Sequence, residues 1–208
     1  GVVLGTSTGA INAAALASHA DQFDLALAKI VNVWKDLHTD RVYRADSFGV
    51  INTGAKWLTM LTAGWAFTRW RKAKARSLLD NTPLRGLLDE LVHLERLPEV
   101  MRAGHLRSLA ITASSYSSGD HVTFFESVDP FEPWERQHRR SLRGRIGTDH
   151  LMASSAIPFV FPAMSLRFEG HTEWFGDGSM RQSAPISPAV HLGAQRVLVV
   201  GAGRMQEP

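Results

Sequence analysis

The chain has 208 residues, 44% of them hydrophobic and 21% charged, a length and balance that fit one folded domain and exclude a disordered chain. Its 23 Lys and Arg against 20 Asp and Glu leave a net charge of +3, an excess that suits an anionic surface and calls for no nucleic acid. There is no cysteine, which excludes disulfides, thiolate nucleophiles and cysteine-bound zinc, and no run reaches the ~20 apolar residues that span a bilayer.

In chain order, Val2 to Leu4 is a short apolar run that ends in Gly5-Thr6-Ser7-Thr8-Gly9, and the alanine-rich stretch from Ala10 to Ala20 favours helix. The spacing of Phe23, Leu27, Ile30, Val31 and Trp34 predicts a helix over 23–37, with Asp21 as its N-cap. Lys56 to Arg76 is rich in tryptophan and then in basic residues. Pro83 opens a helix through Leu84, Leu87, Leu88, Leu91 and Val92, with Thr82 suited to cap it.

Ser108 to Ala113 and Val122 to Glu126 favour strands, and Ser117-Ser118-Gly119-Asp120 between them is a turn signal. Residues 127–147 hold prolines, glycines and many arginines, which predicts a surface connection. A short helix is expected over His150 to Ala156, stopped by Pro158, followed by a hairpin of Leu166 to Phe168 and Thr172 to Phe175. Pro185 to Leu192 reads as helix with Gly193 to end it, and Arg196 to Val200 as a strand buried on both faces. Helices alternating with apolar strands predict an α/β layered domain with a largely parallel sheet. We expect a single domain over 1–208, truncated at its amino end, where it opens on Gly1-Val2-Val3-Leu4, and possessing a similarly cut carboxyl end.

Gly5-Thr6-Ser7-Thr8-Gly9 fits the nucleophile elbow, in which a tight strand-to-helix turn presents a serine above the sheet. Gly5 and Gly9 are expected where the chain passes close to neighbouring backbone. The helix start puts unpaired N–H groups near Ser7, with Thr8 as a backbone donor to a developing oxyanion. A serine hydroxyl needs a base to take its proton. Asp177, between Gly176 and Gly178 after a predicted strand, is the candidate; by itself the segment also reads as an Asp-Gly turn closing a hairpin.

Three segments together carry a resemblance: the elbow, Ala153-Ser154-Ser155-Ala156-Ile157-Pro158-Phe159-Val160-Phe161-Pro162, and Asp177-Gly178-Ser179. In this order, over nearly the whole chain, they resemble patatin-like phospholipases. The resemblance implies a three-layer α/β/α sandwich and a Ser7-Asp177 dyad without a catalytic histidine, acting on lipid esters through an acyl-enzyme. The nine histidines form no recognised metal-ligand spacing, and no cofactor and no metal are expected. It also implies a glycine-rich oxyanion loop upstream of the elbow, which this sequence does not contain before Gly5, and a glycine or alanine where Ser179 stands.

Ser154 and Ser155 read as capping or lining the proline loop. His191 follows Asp177, so a Ser-Asp-His triad would have to use it, although its helical setting also suits packing. Trp57, Trp65 and Trp70 with Arg69, Arg71, Lys72, Lys74 and Arg76 have the composition of an interfacial segment, so peripheral membrane contact through Trp57–Arg76 is expected beside the lipid ester substrate. An amphipathic helix packed on the core is the alternative. The run Arg136, Arg139, Arg140, Arg143 and Arg145 reads as a solvated loop, or else as a contact for phosphate headgroups or a protein partner. Two further readings of function stand beside the esterase: a lipid-binding or regulatory module without a working oxyanion site, and a triad hydrolase built on His191.

Overall fold

A computed structural model describes residues 1–36, 80–168, 170–182 and 184–201. The tryptophan-rich stretch from Lys56 to Arg76 lies outside the described residues. No helix among the described residues is long and apolar enough to cross a membrane.

The elements are β1 (Val2–Thr6), α1 (Thr8–Ser18), α2 (Phe23–Lys35), α3 (Thr82–Leu91), α4 (Leu97–Arg102), β2 (Ser108–Ser115), β3 (His121–Ser127), β4 (Glu135–Arg136), β5 (Arg139–Arg143), α5 (Thr148–Ser154), β6 (Met164–Phe168), β7 (His171–Asp177) and α6 (Ile186–His191). All seven strands join one sheet in the order β4-β5-β3-β2-β7-β6, with β1 also on β2. Every residue of β2 is buried, as expected of a strand with layers on both faces. Side chains alternate along it. Leu109 and Ile111 meet α1, α3, α4 and α5 on one face, while Ala110 packs with Phe125 and Leu192 beyond α6 on the other. The α/β sandwich expected from the alternation of elements is therefore present, with α6 and the segment at Phe131 and Trp134 forming the thinner layer.

The sheet is mixed, which corrects the expectation of largely parallel pairing. Only β1 with β2 and β3 with β5 run parallel; the other pairings, β2–β3, β2–β7, β4–β5 and β6–β7, are antiparallel. The reason is connection length: tight turns join β2 to β3, β4 to β5 and β6 to β7, and a parallel neighbour needs a crossover of a dozen or more residues.

β2 has an unusual arrangement of partners that positions the site. β3 occupies one edge over Ser108–Ser114, while β1 pairs with Ser108–Thr112 and β7 with Ala113–Ser115 on the other. β1 runs parallel to β2 and β7 antiparallel, so the two strands run head-on along one edge and their carboxyl ends abut. Thr6 lies opposite Thr112, and Asp177 opposite the next residue, Ala113.

Several local expectations need correction. Asp21 does not cap α2; Gln22 holds that position without a side-chain capping bond, and Asp21 accepts instead from Arg96 Nη2 at 2.8 Å. Of the apolar residues that signal α2, only Ile30 is buried, while Phe23, Leu27, Val31 and Trp34 stay 39–56% exposed. Thr82 is the first residue of α3 and its hydroxyl donates to Asp80, leaving Asn81 at the cap. Residues 139–143 form β5 and not a surface connection, because their backbone completes a parallel ladder with β3. Arg140 is accordingly no solvated loop residue: its guanidinium reaches Glu173 at 2.5 Å, tying β5 to β7 across the sheet, and lies over the Phe168 ring. Arg196–Val200 forms no strand, and Leu198 and Val200 are each 89% exposed. An apolar run becomes a buried strand only where neighbours supply a ladder and two covering faces.

His121, at the start of β3, is 4% exposed, and neither ring nitrogen has a partner. Burial, with Arg139 and Arg181 adding to it, pushes its pKa down to about 4. Between pH 6.5 and about 4 the unfolded chain binds a proton that the folded chain refuses, so stability is full above this window and falls as the pH drops through it. The loss from this residue is about 3 kcal/mol. Burial also lowers the pKa of His19, His150 and His191, which adds loss of the same sign. His121→Phe removes a ring that has no hydrogen bond to lose. Urea midpoints at pH 7.5 and 4.5 should therefore differ less in the variant than in the parent; equal differences would show that His121 does not titrate in this way.

Candidate active site

β1 ends in a backbone turn that only its surroundings hold in place. Ser7 has φ 54° and ψ −133°, a region that L-residues avoid and that costs about 1–3 kcal/mol. The turn is sharp because α1 starts at the next residue, and Gly5 makes this approach feasible. A Cβ on Gly5 would lie 2.3 Å from the Gly9 carbonyl oxygen and 2.6 Å from Ala10 Cα. Gly9 itself is different. Among the described residues a Cβ there would meet nothing within 4 Å, so they show the expected steric need for Gly5 and not for Gly9, whose carbonyl is the obstacle.

At the junction of β1 and β7 the Ser7 hydroxyl donates to Asp177 Oδ2 at 2.5 Å. Asp177 is 3% exposed. Its other oxygen, Oδ1, accepts from Ser179 N at 2.8 Å and from Ser179 Oγ at 2.7 Å, which leaves Oδ2 directed at Ser7. The backbone N–H of Asp177 donates to the Ala156 carbonyl at 2.9 Å. Gly178 makes the junction close: a Cβ there would fall 2.3 Å from Thr112 O and 2.5 Å from Thr6 Oγ1. Gly176 leaves room for Tyr116, whose hydroxyl would sit 2.0 Å from a Cβ at that position. Burial, then the Asp177 charge, raises the Tyr116 pKa.

The start of α1 places a backbone N–H beside Ser7. Ser7 N–H is engaged, donating to Ser154 Oγ at 2.9 Å, whereas Thr8 N–H stands in the first turn of α1, where no intrahelical acceptor exists. Thr8 is exposed and directly follows Ser7.

His191 is elsewhere. Its ring stacks on Trp134 at 4.7 Å between centroids, in the layer packed on the opposite face of the sheet from α1 and α5, and Ser7 Oγ bonds Asp177 with no histidine between them. A cleft of about 610 Å³, lined among others by Arg85, Phe124, Arg145, His150 and Phe168, also lacks both Ser7 and Asp177.

The family model described as Patatin-like phospholipase matches residues 2–190. The chain belongs to that family. Patatin-like phospholipases are lipid acyl hydrolases, and the matched span contains the elbow, the 153–162 segment and Asp177. No curated protein and no solved structure matches the chain.

With the family in place, the residues that sequence reasoning undervalued stand out. Ser154 and Ser155 do more than line the proline loop: both bond the Ser7 backbone. Ser179, a departure from the family pattern, is the principal side-chain partner of the far carboxylate oxygen. The resemblance placed all three within motifs, but the contacts of Ser154 and Ser155, which span 147 and 148 positions, leave no local signal.

Proposed function

We propose that this patatin-like protein is a serine-dependent carboxylic ester hydrolase of lipids that works through a Ser7-Asp177 dyad. One observation carries the reading: the hydroxyl of an elbow serine with φ 54° donates at 2.5 Å to a buried carboxylate that no histidine separates from it.

In the reaction so read, Ser7 Oγ attacks the ester carbonyl carbon and its proton passes to Asp177 Oδ2. The oxyanion of the tetrahedral intermediate faces the start of α1, where Thr8 N–H donates. Collapse breaks the bond to the leaving alcohol, which takes the proton from Asp177. Water then attacks the acyl-enzyme, gives its proton to Asp177, and the second collapse frees the fatty acid as that proton returns to Ser7. No cofactor or metal enters these steps.

The rim of the site supports an apolar substrate. Ile157, on the loop whose Ala156 carbonyl holds Asp177, is 45% exposed, and Met180, three residues beyond Asp177, is 54% exposed. Large apolar side chains left open beside a reacting centre suit an acyl chain. Peripheral membrane contact through Trp57–Arg76 belongs to the same reading and rests on composition.

The test is covalent labelling. A fluorophosphonate should modify Ser7, identified by peptide mass, and phospholipid vesicles should release fatty acid at a rate that the label abolishes. Failure to label Ser7 would leave a lipid-binding module as the better description.

A further inference from the structure

The peptide that carries Ser7 is held by hydroxyls from the far side of the sequence. Ser154 Oγ accepts from Ser7 N–H at 2.9 Å and donates to the Thr112 carbonyl at 2.7 Å, so one buried hydroxyl uses both of its roles at once. Ser155 Oγ donates to the Ser7 carbonyl at 3.2 Å, which also accepts from Ala10 N–H at 2.9 Å. The next residue, Ala156, accepts from Asp177 N–H at 2.9 Å. Three consecutive residues at the end of α5 thus touch both backbone polar groups of Ser7 and the backbone of Asp177.

Burial and strain give these contacts their meaning. Ser154 is 0% exposed and follows Leu151, Met152 and Ala153, all buried; packing alone asks for an apolar residue there. The hydroxyl is explained by its two partners, each of which would otherwise be a backbone group short of a bond. Ser7 in turn sits where backbone persists only if its surroundings over-determine it. α5 is anchored in the core through Leu151 and Met152, so its carboxyl end is a rigid place from which to hold the turn.

We propose that Ser154 and Ser155 are positioning residues for the reaction: together they clamp the Ser7 peptide in its strained conformation and set the hydroxyl against Asp177. The proposal rests on the reading of Ser7 as nucleophile. It also assigns the oxyanion donor, because Ser154 takes up the Ser7 N–H and leaves Thr8 N–H as the elbow's contribution.

The experiment uses the full chain with p-nitrophenyl butyrate and a fluorophosphonate. Labelling stoichiometry reports the folded fraction, and the labelling rate constant reports how well the nucleophile is placed. Ser154→Ala should lower kcat by about 10-fold to 100-fold, since small misplacements of reacting groups have effects of that order. KM should stay within about twofold, and the labelling rate should fall in parallel at unchanged stoichiometry. Ser155→Ala should lose less, because the Ser7 carbonyl keeps Ala10 N–H, and Ser155→Thr, which retains the hydroxyl, should restore the rate.

A structural role alone would lower Tm and stoichiometry while kcat per labelled site held at the parent value, and that result overturns the proposal. If Ser154→Ala does not fold, the comparison of Ser155→Ala with Ser155→Thr decides it: a slower labelling rate rescued by threonine supports the clamp, and identical rates in all three proteins refute it. Ser7→Ala separates the two levels. Activity surviving in Ser7→Ala removes the nucleophile reading itself; an inactive Ser7→Ala beside a fully active Ser154→Ala removes only the clamp.

Discussion

Ser7→Ala is expected to lower kcat/KM for ester hydrolysis by about 10⁴-fold or more, and Asp177→Asn to lower it as far, because nucleophile and base act as one unit. The geometry makes the second half of this demanding. Asp177 Oδ2 lies 2.5 Å from Ser7 Oγ, and Oδ1 is occupied by the Ser179 backbone and hydroxyl. An asparagine can preserve much of this shape, yet its amide cannot take the proton that attack on the ester releases. The double variant should then be no slower than either single one, since removing a second member of a broken unit costs nothing further. His191→Ala should stay near the parent rate, since that ring stacks on Trp134 at 4.7 Å in the layer across the sheet. Steady-state rates on one soluble ester check all four proteins. Substantial turnover in Asp177→Asn, or a His191→Ala variant as inactive as Ser7→Ala, would return the triad reading.

Gly5→Ala should be far more damaging than Gly9→Ala, although the two glycines flank Ser7 at equal distance in sequence. A Cβ at position 5 would stand 2.3 Å from the Gly9 carbonyl oxygen, and backbone cannot move aside as the end of a flexible side chain can. Relief requires the start of α1 to shift, which moves Ser7 away from Asp177. We expect a loss of about 3 kcal/mol in stability, at the upper end for overpacking, together with a loss of fluorophosphonate labelling. At position 9 a Cβ meets nothing within 4 Å among the described residues, and alanine is the better helix former by up to about 1 kcal/mol. Thermal unfolding of Gly9→Ala should therefore be at or above the parent Tm. A Gly5→Ala protein with parent Tm and labelling would show that the elbow has more room than these contacts allow.

The elements of this fold that a local pattern specifies are legible in the amino-acid sequence. The helix opened by Pro83, the two-strand unit 108–127 with its turn at Ser117–Asp120, the hairpin around Gly170 and the elbow itself each combine a hydrophobic period with a punctuating residue. Pairing direction is less legible. Residues 139–143 carry many arginines and read as loop, yet become a strand because β3 offers a free edge, and ladder bonds are made by backbone whatever the side chains. The opposite error occurs at Arg196–Val200, where a strong apolar pattern meets no neighbouring strand.

Residue types and their local spacing set the chemistry on offer: a serine on a tight turn, an aspartate between glycines, and a family resemblance that the match over residues 2–190 bears out. Which groups meet is a matter of packing across the whole domain. Ser7 and Asp177, 170 positions apart, come together because β1 and β7 run head-on along one edge of β2 and end at adjacent registers, Thr112 and Ala113. The same packing delivers Ser154 and Ser155 to the Ser7 peptide and sends His191 to Trp134. Register and edge choice follow from summed burial and hydrogen bonding over the whole sheet, and no short stretch of residues encodes them.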